Sequence, residues 1–63
     1  MKPGSILKWT AEERRWRRAS VQKRARFILI KKHPWGWLVY NINSGVLFSA
    51  YCSWIETKLE EIV

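Results

Sequence analysis

The hydrophobic pattern of residues 37–52 predicts two β-strands joined by a tight turn. Apolar and polar positions alternate on both sides of residues 43–45, Asn-Ser-Gly, and this period places successive side chains on opposite faces of a strand. Asn and Gly tolerate positive φ, which suits a hairpin turn. The residues of the fourth strand that share its inward face are Val46, Phe48, Ala50 and Cys52. We expect Cys52 to be a small buried hydrophobe that reacts with thiol reagents only after unfolding.

Two earlier segments also have the spacing or composition of β-strands. Residues 5–9 alternate, with Leu7 and Trp9 on one face. Residues 27–30 form a continuous run of β-forming apolar side chains. A turn is predicted next, over residues 33–36, because Pro stands in its second position and Gly in its fourth.

The C-terminal residues predict one helical turn followed by a short closing strand. Ser53 is followed three residues later by Glu56, which is the spacing of a helix cap. Leu59, Ile62 and Val63 then supply the apolar positions of a last strand.

A long basic segment between the first two strands contains a second predicted helical turn. Residues 10–13, Thr-Ala-Glu-Glu, match the capping box, in which the Thr hydroxyl accepts from the N–H three residues on and the Glu reaches back. Glu13 and Arg17 have the i,i+4 spacing of a helical ion pair. Trp16 is the one side chain large enough to hold so short a helix against the domain. We therefore expect a long loop that carries a helical turn.

The order of elements and three short motifs indicate a known class of fold. The motifs are Pro3-Gly4-x-x-Leu7-x-Trp9, Gly36-Trp37-Leu38-Val39 and Leu59-Glu60-Glu61-Ile62. With this order of elements, they resemble the short SH3-like proteins encoded by tailed bacteriophages. The resemblance implies one domain over residues 1–63 and a mainly β fold. That fold is a small five-stranded SH3-like barrel with a long basic first loop and a one-turn helix before the last strand.

The resemblance implies less about function. Small barrels serve as nucleic-acid binders, protein adaptors and virion parts, so function has to be argued from the surface. The first loop is longer and more basic than is usual in the phage proteins. It also lacks the acidic and aromatic signature of the SH3 domains that bind proline-rich peptides. Proline-rich ligands are therefore not expected. The resemblance to phage proteins implies a location in the host cytoplasm or the virion.

Composition and charge support a folded, intracellular domain with a basic first half. Of its 63 residues 48% are hydrophobic, which is too apolar for a disordered tail. A single cysteine excludes an intrachain disulfide, and no apolar run approaches the roughly 18 residues of a membrane-spanning helix. The net charge is +7: residues 1–32 hold eleven Lys/Arg and two Glu (+9), whereas residues 33–63 hold one Lys and three Glu (−2). This asymmetry predicts that the first half binds a polyanion.

The predicted polyanion site is the basic run and its one tryptophan. Its members are Arg14, Arg15, Trp16, Arg17, Arg18, Lys23, Arg24 and Arg26. Two roles fit Trp16: a stacking platform for a nucleic-acid base, or a buried anchor that packs the loop onto the sheet and leaves the arginines displayed. We favour the anchor, because the helical turn has no other side chain to hold it.

No combination of side chains predicts catalysis, a metal site or a cofactor. His33 lies at a turn with only lysines as titratable neighbours in sequence, and the serines lack a recognisable nucleophile context. Glu56, Glu60 and Glu61 are too few and too close to the C-terminus for a metal site.

Four further aromatic residues have two interpretations. They are Trp35, Trp37, Tyr40 and Tyr51. They are expected to pack in the core and across strands rather than to form a cage for a methylated ammonium, because aromatic rings supply most of the burial in so small a domain. Trp35, at the tip of a turn, is expected to be the most exposed of the four.

The sequence therefore predicts a non-enzymatic binding module whose basic first loop docks on a polyanion, most simply DNA or RNA. The alternative is a phage structural, assembly or host-interaction protein, in which the same face binds an acidic surface of a capsid or host protein. Membrane binding is not expected, because the basic helix offers a single Trp instead of an apolar face. Steep salt dependence is expected of the nucleic-acid complex, and dependence on aromatic contacts is expected of the protein complex.

Overall fold

Five short strands form one antiparallel sheet, with two short helices beside it, in the ranges that the structure describes. These ranges, in a computed structural model, are residues 1–17 and 24–62. The strands are β1 (Ile6–Trp9), β2 (Arg26–Lys32), β3 (Gly36–Asn41), β4 (Val46–Tyr51) and β5 (Leu59–Glu61), and the helices are α1 (Ala11–Trp16) and α2 (Cys52–Lys58).

The strand order in the sheet is β4-β3-β2-β1-β5. Strands adjacent in the chain pair antiparallel from β1 to β4, and the chain then returns through α2 so that β5 pairs with β1. The predicted five strands are therefore confirmed. Within the described ranges β4 and β5 are the two edge strands and do not pair with each other, so the sheet is open.

One face of the sheet carries the hydrophobic core. The buried hydrophobic residues are Leu7, Trp9, Ala25, Phe27, Leu29, Trp37, Val39, Ala50, Ile55 and Leu59. The shared face predicted for Leu7 and Trp9 in the first strand is confirmed, and it is the buried one. The rings of Trp9 and Phe27 meet edge to face with their centroids 5.0 Å apart, a favourable arrangement for two buried aromatic rings. Three of these ten residues are aromatic, and the partly buried rings of Phe48 and Trp54 pack against the core.

The predicted hairpin of residues 37–52 is confirmed in its pairing and its turn. β3 and β4 pair along their whole length, and a turn over residues 42–45 joins them. Gly45 has a φ of +76°, a backbone conformation that glycine adopts without a steric penalty. Ala50 is buried and Phe48 packs against the core, as the alternation predicts.

Two residues assigned to the inward face of the fourth strand lie elsewhere. Val46 is 53% exposed, because it lies opposite Asn41 at the turn end of the hairpin, beyond the core. Cys52 is half-buried and begins α2, so the alternation of the strand no longer applies to it. Its Sγ lies 3.8 Å from Nζ of Lys32. A thiol reagent is therefore expected to reach Cys52 without unfolding.

The predicted turn of residues 33–36 is also confirmed. His33 and Gly36 exchange backbone hydrogen bonds of 2.8 and 3.3 Å, and β3 begins at Gly36. A Cβ atom at position 36 would overlap the carbonyl oxygen of Ala50 in β4. The close approach of the two strands therefore requires glycine at this position.

The helix before the last strand is longer than the single turn predicted. Its N-cap position is Tyr51, so Ser53 lies inside the helix and does not cap it. The helix buries Ile55 and places the ring of Trp54 6.0 Å from that of Trp9. Leu59, which is 2% exposed, then begins β5.

Candidate functional site

The helix α1 follows β1 directly and starts at a side-chain cap. Oγ1 of Thr10 accepts a hydrogen bond of 3.3 Å from the backbone N–H of Glu13, as the capping box predicts. In the full capping box the N–H of Thr10 would donate to the Glu13 side chain. Here that N–H donates instead to the carbonyl oxygen of Lys58 at 3.1 Å. The start of α1 is therefore tied to the end of α2.

The Glu13 carboxylate joins α1 to α2. Glu13 is 6% exposed. Its Oε1 accepts from Nη2 of Arg17 at 3.2 Å, which confirms the predicted i,i+4 pair, and its Oε2 accepts from Nζ of Lys58 at 3.3 Å. Lys58 lies outside the basic run, so the sequence pattern around Glu13 contained no signal for this second contact.

The environment of Glu13 keeps its carboxylate charged. Burial by itself raises the pKa of Glu13, but the contacts around the carboxylate outweigh that effect. The hydrogen bond from Lys58, the nearby indole of Trp16, the charge of Lys58 and the hydrogen bond from Arg17 together bring the pKa below its ordinary value of 4.5. At neutral pH the carboxylate therefore holds both basic partners.

Arg17 lies between two tryptophan rings. Its Cζ is 3.6 Å from the centroid of the Trp9 ring and 4.4 Å from that of the Trp16 ring. A guanidinium over an aromatic face is attracted by the negative face of the ring. The Arg17 side chain is only 17% exposed. Arg17 therefore packs α1 onto the core residue Trp9, whereas the sequence prediction listed it among the polyanion contacts.

Trp16 is not the buried anchor that the sequence favoured. It is 59% exposed, and its ring stacks on Arg17. The helix is held instead by Glu13, which bonds to α2, and by Arg17, which stacks on Trp9. The prediction sought a large apolar side chain, but a planar charged group with an apolar stem packs on an aromatic ring equally well.

Arg14 is also engaged within the domain. Its Nη1 donates a 2.6 Å hydrogen bond to the carbonyl oxygen of Trp9 and lies 3.6 Å from Oε1 of Glu60. The guanidinium thus links α1 to β1 and to β5. A polyanion has to compete with Glu60 for this side chain.

The other predicted cations differ in their exposure. Arg15 in α1 and Arg24 before β2 are exposed. Arg26 is half-buried, and its Nη1 donates to the carbonyl oxygens of Arg24 and Ala25, each at 3.2 Å. Arg18 and Lys23 lie outside the described residues. The predicted site therefore divides into cations that hold the structure and cations that face solvent.

Lys8 is a cation near this surface that the sequence prediction left out. It lies directly opposite Arg26 in the pairing of β1 with β2. Its Nζ is 3.8 Å from Oε1 of Glu60. Alternation along the first strand placed Lys8 on the outer face, but the strand register that brings it beside Arg26 has no signal in the sequence.

A second surface group, here called the aromatic group, consists of the half-buried His33 and the exposed Trp35 and Tyr51. The Trp35 ring stacks on His33 with centroids 4.9 Å apart and lies 5.3 Å from the Tyr51 ring. Trp35 is 48% exposed, as expected for a turn tip. Trp37, which is 5% exposed, lies in the core, whereas Tyr40 and Tyr51 lie on the outer face of the sheet, opposite Leu47 and Gly36. These rings therefore do not enclose one cage.

The described residues and the comparisons with known proteins set few further constraints. Within residues 1–17 and 24–62, no group of three His, Cys, Asp or Glu side chains is arranged to hold a metal ion. No helix in this part of the chain is long and apolar enough to cross a membrane. A scan against protein-family models gives no match, and searches of the curated proteins and of the solved structures give no similar protein.

Proposed function

We propose that this chain is a non-enzymatic binding module that docks on nucleic acid through the surface around α1. The observation that carries the proposal is the exposure of Trp16, at 59%, within a basic run. An exposed tryptophan beside cations is the combination found where proteins bind single strands, and stacking one base on such a ring contributes about 1–3 kcal/mol.

The contacts of Arg17 favour the platform role for Trp16. Arg17 stacks on one ring face of Trp16, and its own position is fixed by Trp9 and by the carboxylate of Glu13. A ring held in this way loses less conformational freedom when a base stacks on it. Arg17 therefore supports the platform and leaves phosphate contacts to other cations.

The phosphate contacts in this proposal come from two exposed cations and from a half-buried pair of cations on the neighbouring strands. Arg15 and Arg24 are exposed, and Arg26 and Lys8 lie side by side in the β1–β2 pairing. Arg18 and Lys23 belong to the same basic run by sequence. Each phosphate neutralised on a single strand contributes about −0.7 to the slope of log K against log salt.

The proposal is tested by comparing Trp16→Ala with Trp35→Ala. Trp35 is a matched control because it is also about half exposed but lies at the β2–β3 turn. Titration of a fluorescent single-stranded oligonucleotide at low salt should show about 5- to 150-fold weaker binding for Trp16→Ala, the equivalent of one lost stacking contact. Trp35→Ala should bind as the unmodified chain does. Absence of binding at low salt contradicts the proposal, and equal losses in both variants contradict the assignment of the site to α1.

A charge reversal tests the phosphate contacts separately. Arg15→Glu should weaken binding to every oligonucleotide sequence alike and reduce the salt slope by about 0.7 or more. Lys31→Glu, an equal change of charge at an exposed position of β2, is the control. If both reversals change the slope equally, the interaction reflects net charge alone and not a site around α1.

The second candidate is a phage structural, assembly or host-interaction protein that binds an acidic protein surface. The aromatic group favours it, because exposed Trp and Tyr side chains are typical anchors of protein interfaces. The strand order and the helix before β5 support the proposed relation to the SH3-like barrels of tailed phages, and with it a place in the host cytoplasm or the virion. Nuclease-resistant capture of a partner protein that Trp35→Ala abolishes favours this candidate over nucleic-acid binding.

A further inference from the structure

The two edges of the sheet differ in their protection against pairing with another strand. The edge strand β5 carries Glu60 and Glu61, and such charges on an edge strand discourage pairing with another chain. The other edge, β4, has the sequence Val-Leu-Phe-Ser-Ala-Tyr, without charge or proline. Its Val46, Leu47 and Tyr51 are 53%, 56% and 65% exposed. β4 therefore lacks the features that protect an edge strand.

The hydrogen-bond pattern shows which backbone groups of β4 are available. The N–H of Cys52 donates to the carbonyl oxygen of Trp35 at 3.2 Å, which makes Gly36 opposite Tyr51 a non-hydrogen-bonded pair. Because the two kinds of pair alternate, Val46, Phe48 and Ala50 direct their backbone groups toward β3. Consequently Leu47, Ser49 and Tyr51 direct their N–H groups away from β3, and all three residues are exposed.

A shallow pocket lies along this edge. It has a volume of about 190 Å³ and is lined by Phe48, Ser49, Ala50, Tyr51 and Trp54. Much of its wall is aromatic, and the small side chain of Ala50 lies between the larger ones. A strand that pairs with β4 would bring its inward side chains over this pocket.

We propose that β4 is a homodimer interface, on which the β4 strand of a second copy pairs antiparallel about a two-fold axis at Ser49. Registers centred on Phe48 and on Ser49 each align five residues of β4, but only the one centred on Ser49 pairs all three outward-facing residues, Leu47, Ser49 and Tyr51, within the strand. It sets Leu47 opposite the partner's Tyr51 and Ser49 opposite the partner's Ser49. On the inward face it sets Phe48 opposite the partner's Ala50, so that a large side chain meets a small one.

The contacts on both faces favour a second copy over an unrelated strand. The two-fold axis repeats the Phe48–Ala50 contact, and each Phe48 ring covers the pocket of the other protomer. The Leu47–Tyr51 contact on the outer face is repeated in the same way, and aromatic–aliphatic cross-strand pairs are stabilising. β4 contains no charged side chain. Pairing two copies of this strand therefore places no like charges opposite each other, although each chain carries a net charge of +7. The interface is therefore complementary to itself in shape and in charge.

The expected dimer is weak, and salt should strengthen it. A single pair of short strands buries less than the roughly 1,200 Å² of a stable interface, so the dissociation constant should lie between about 10 µM and about 1 mM. Two chains of charge +7 repel each other, and added salt screens this repulsion. Salt should strengthen the dimer but weaken nucleic-acid binding. The two proposals therefore predict opposite salt effects, and either can be contradicted without the other.

The test is sedimentation equilibrium of the full chain over that concentration range, with two substitutions at the two-fold axis. Ser49→Lys and Ser49→Glu each place like charges opposite each other, and each variant should remain monomeric. An equimolar mixture of the two should form a heterodimer, because opposite charges then meet. Thr57→Lys, which adds the same charge at an exposed position in the last turn of α2, should dimerise like the unmodified chain. Circular dichroism should show that all variants are folded.

Two results overturn the proposal. One is an unmodified chain that stays monomeric at about 1 mM and high salt. The other is a mixture of the two Ser49 variants that shows no more association than either alone. The first result would still allow β4 to pair with a strand from a different protein, but it would rule out the homodimer.

Discussion

The α1 region and the β3–β4 hairpin are held to the domain by different forces. The hairpin is held by backbone pairing along its whole length and by buried apolar side chains such as Trp37 and Val39. The six-residue helix α1 buries only Glu13, and it is held by that ion-pair cluster and by Arg17 between two tryptophan rings. The arginines of the basic run therefore do not share one structural role, because Arg17 replaces part of the missing apolar core of the helix.

The difference predicts how each region responds to its surroundings. Apolar burial does not depend on protonation, whereas an ion pair with a partly exposed partner weakens with acid and with salt. Lys58, which holds Glu13, is 38% exposed at its side chain. Acid should therefore loosen α1 before it affects the hairpin.

The largest expected effect breaks the hairpin. Trp37→Ala should reduce the free energy of unfolding by about 3–5 kcal/mol, because it leaves a large cavity beneath the sheet. In so small a domain this loss is most of the stability. Trp35→Ala removes the same side chain two residues away, where it is 48% exposed, and should change the free energy by no more than about 0.5 kcal/mol. Denaturant titration of both variants measures the contrast, and comparable losses would contradict the assigned facing of β3.

A smaller effect is expected from the cation that packs α1. Arg17→Ala removes a guanidinium from between Trp9 and Trp16 and should cost about 1–2 kcal/mol. Arg15→Ala, an exposed arginine of the same helix, should change stability by less than about 0.5 kcal/mol. Thermal unfolding followed by circular dichroism compares them. Equal losses of stability in the two variants would show that Arg17 does not hold α1 to the domain.

The Glu13 cluster should make part of the stability depend on pH. The pKa of Glu13 is lower in the folded chain than its ordinary value of 4.5, so the unfolded chain binds more protons near that pH. The contribution of Glu13 is therefore present above pH 4.5 and is lost as the pH falls through the lower folded pKa. Melting temperatures measured from pH 7 downward should fall less steeply for Glu13→Gln than for the unmodified chain. Glu12→Gln, an exposed neighbour, is the control, and a slope unchanged by Glu13→Gln would contradict the role of the cluster.

The smallest effect on stability is expected at Trp16. Because the side chain is 59% exposed, Trp16→Ala should lower the free energy of unfolding by less than about 1 kcal/mol. The same variant is expected to lose affinity for single-stranded nucleic acid, so stability and binding should separate. A loss of about 3–5 kcal/mol would restore the buried-anchor hypothesis.

Much of the sheet was predictable because it follows from local patterns. Alternation identified the residues that share a face in β1 and part of the inward face of β4, and glycine with its neighbours located both tight turns. The errors occur where an element ends. Cys52 was assigned to the fourth strand because α2 begins one residue earlier than the apparent cap at Ser53. Val46 was assigned to the core because alternation identifies a face but does not show where along the strand the core stops.

The candidate site was predictable only in composition. The run of residues 14–26 identifies a basic surface, and the i,i+4 rule identifies the contact between Glu13 and Arg17. The sequence does not show that Lys58 completes that cluster, since its contact with Glu13 spans 45 positions of the chain. Nor does it show that Glu60 meets both Arg14 and Lys8.

Local sequence thus set the strands, the turns, the start of α1 and the uneven distribution of charge, because each depends on neighbours within a few positions. The pairing of β5 with β1 and the return of α2 then determined which charges are engaged and which face solvent. Arg17 and Trp16 are adjacent in the chain and both lie in a basic run, yet one is 17% exposed at its side chain and the other is 59% exposed. That outcome depends on the position of the Trp9 ring in the folded core, and such a long-range contact leaves no periodic signal in the sequence.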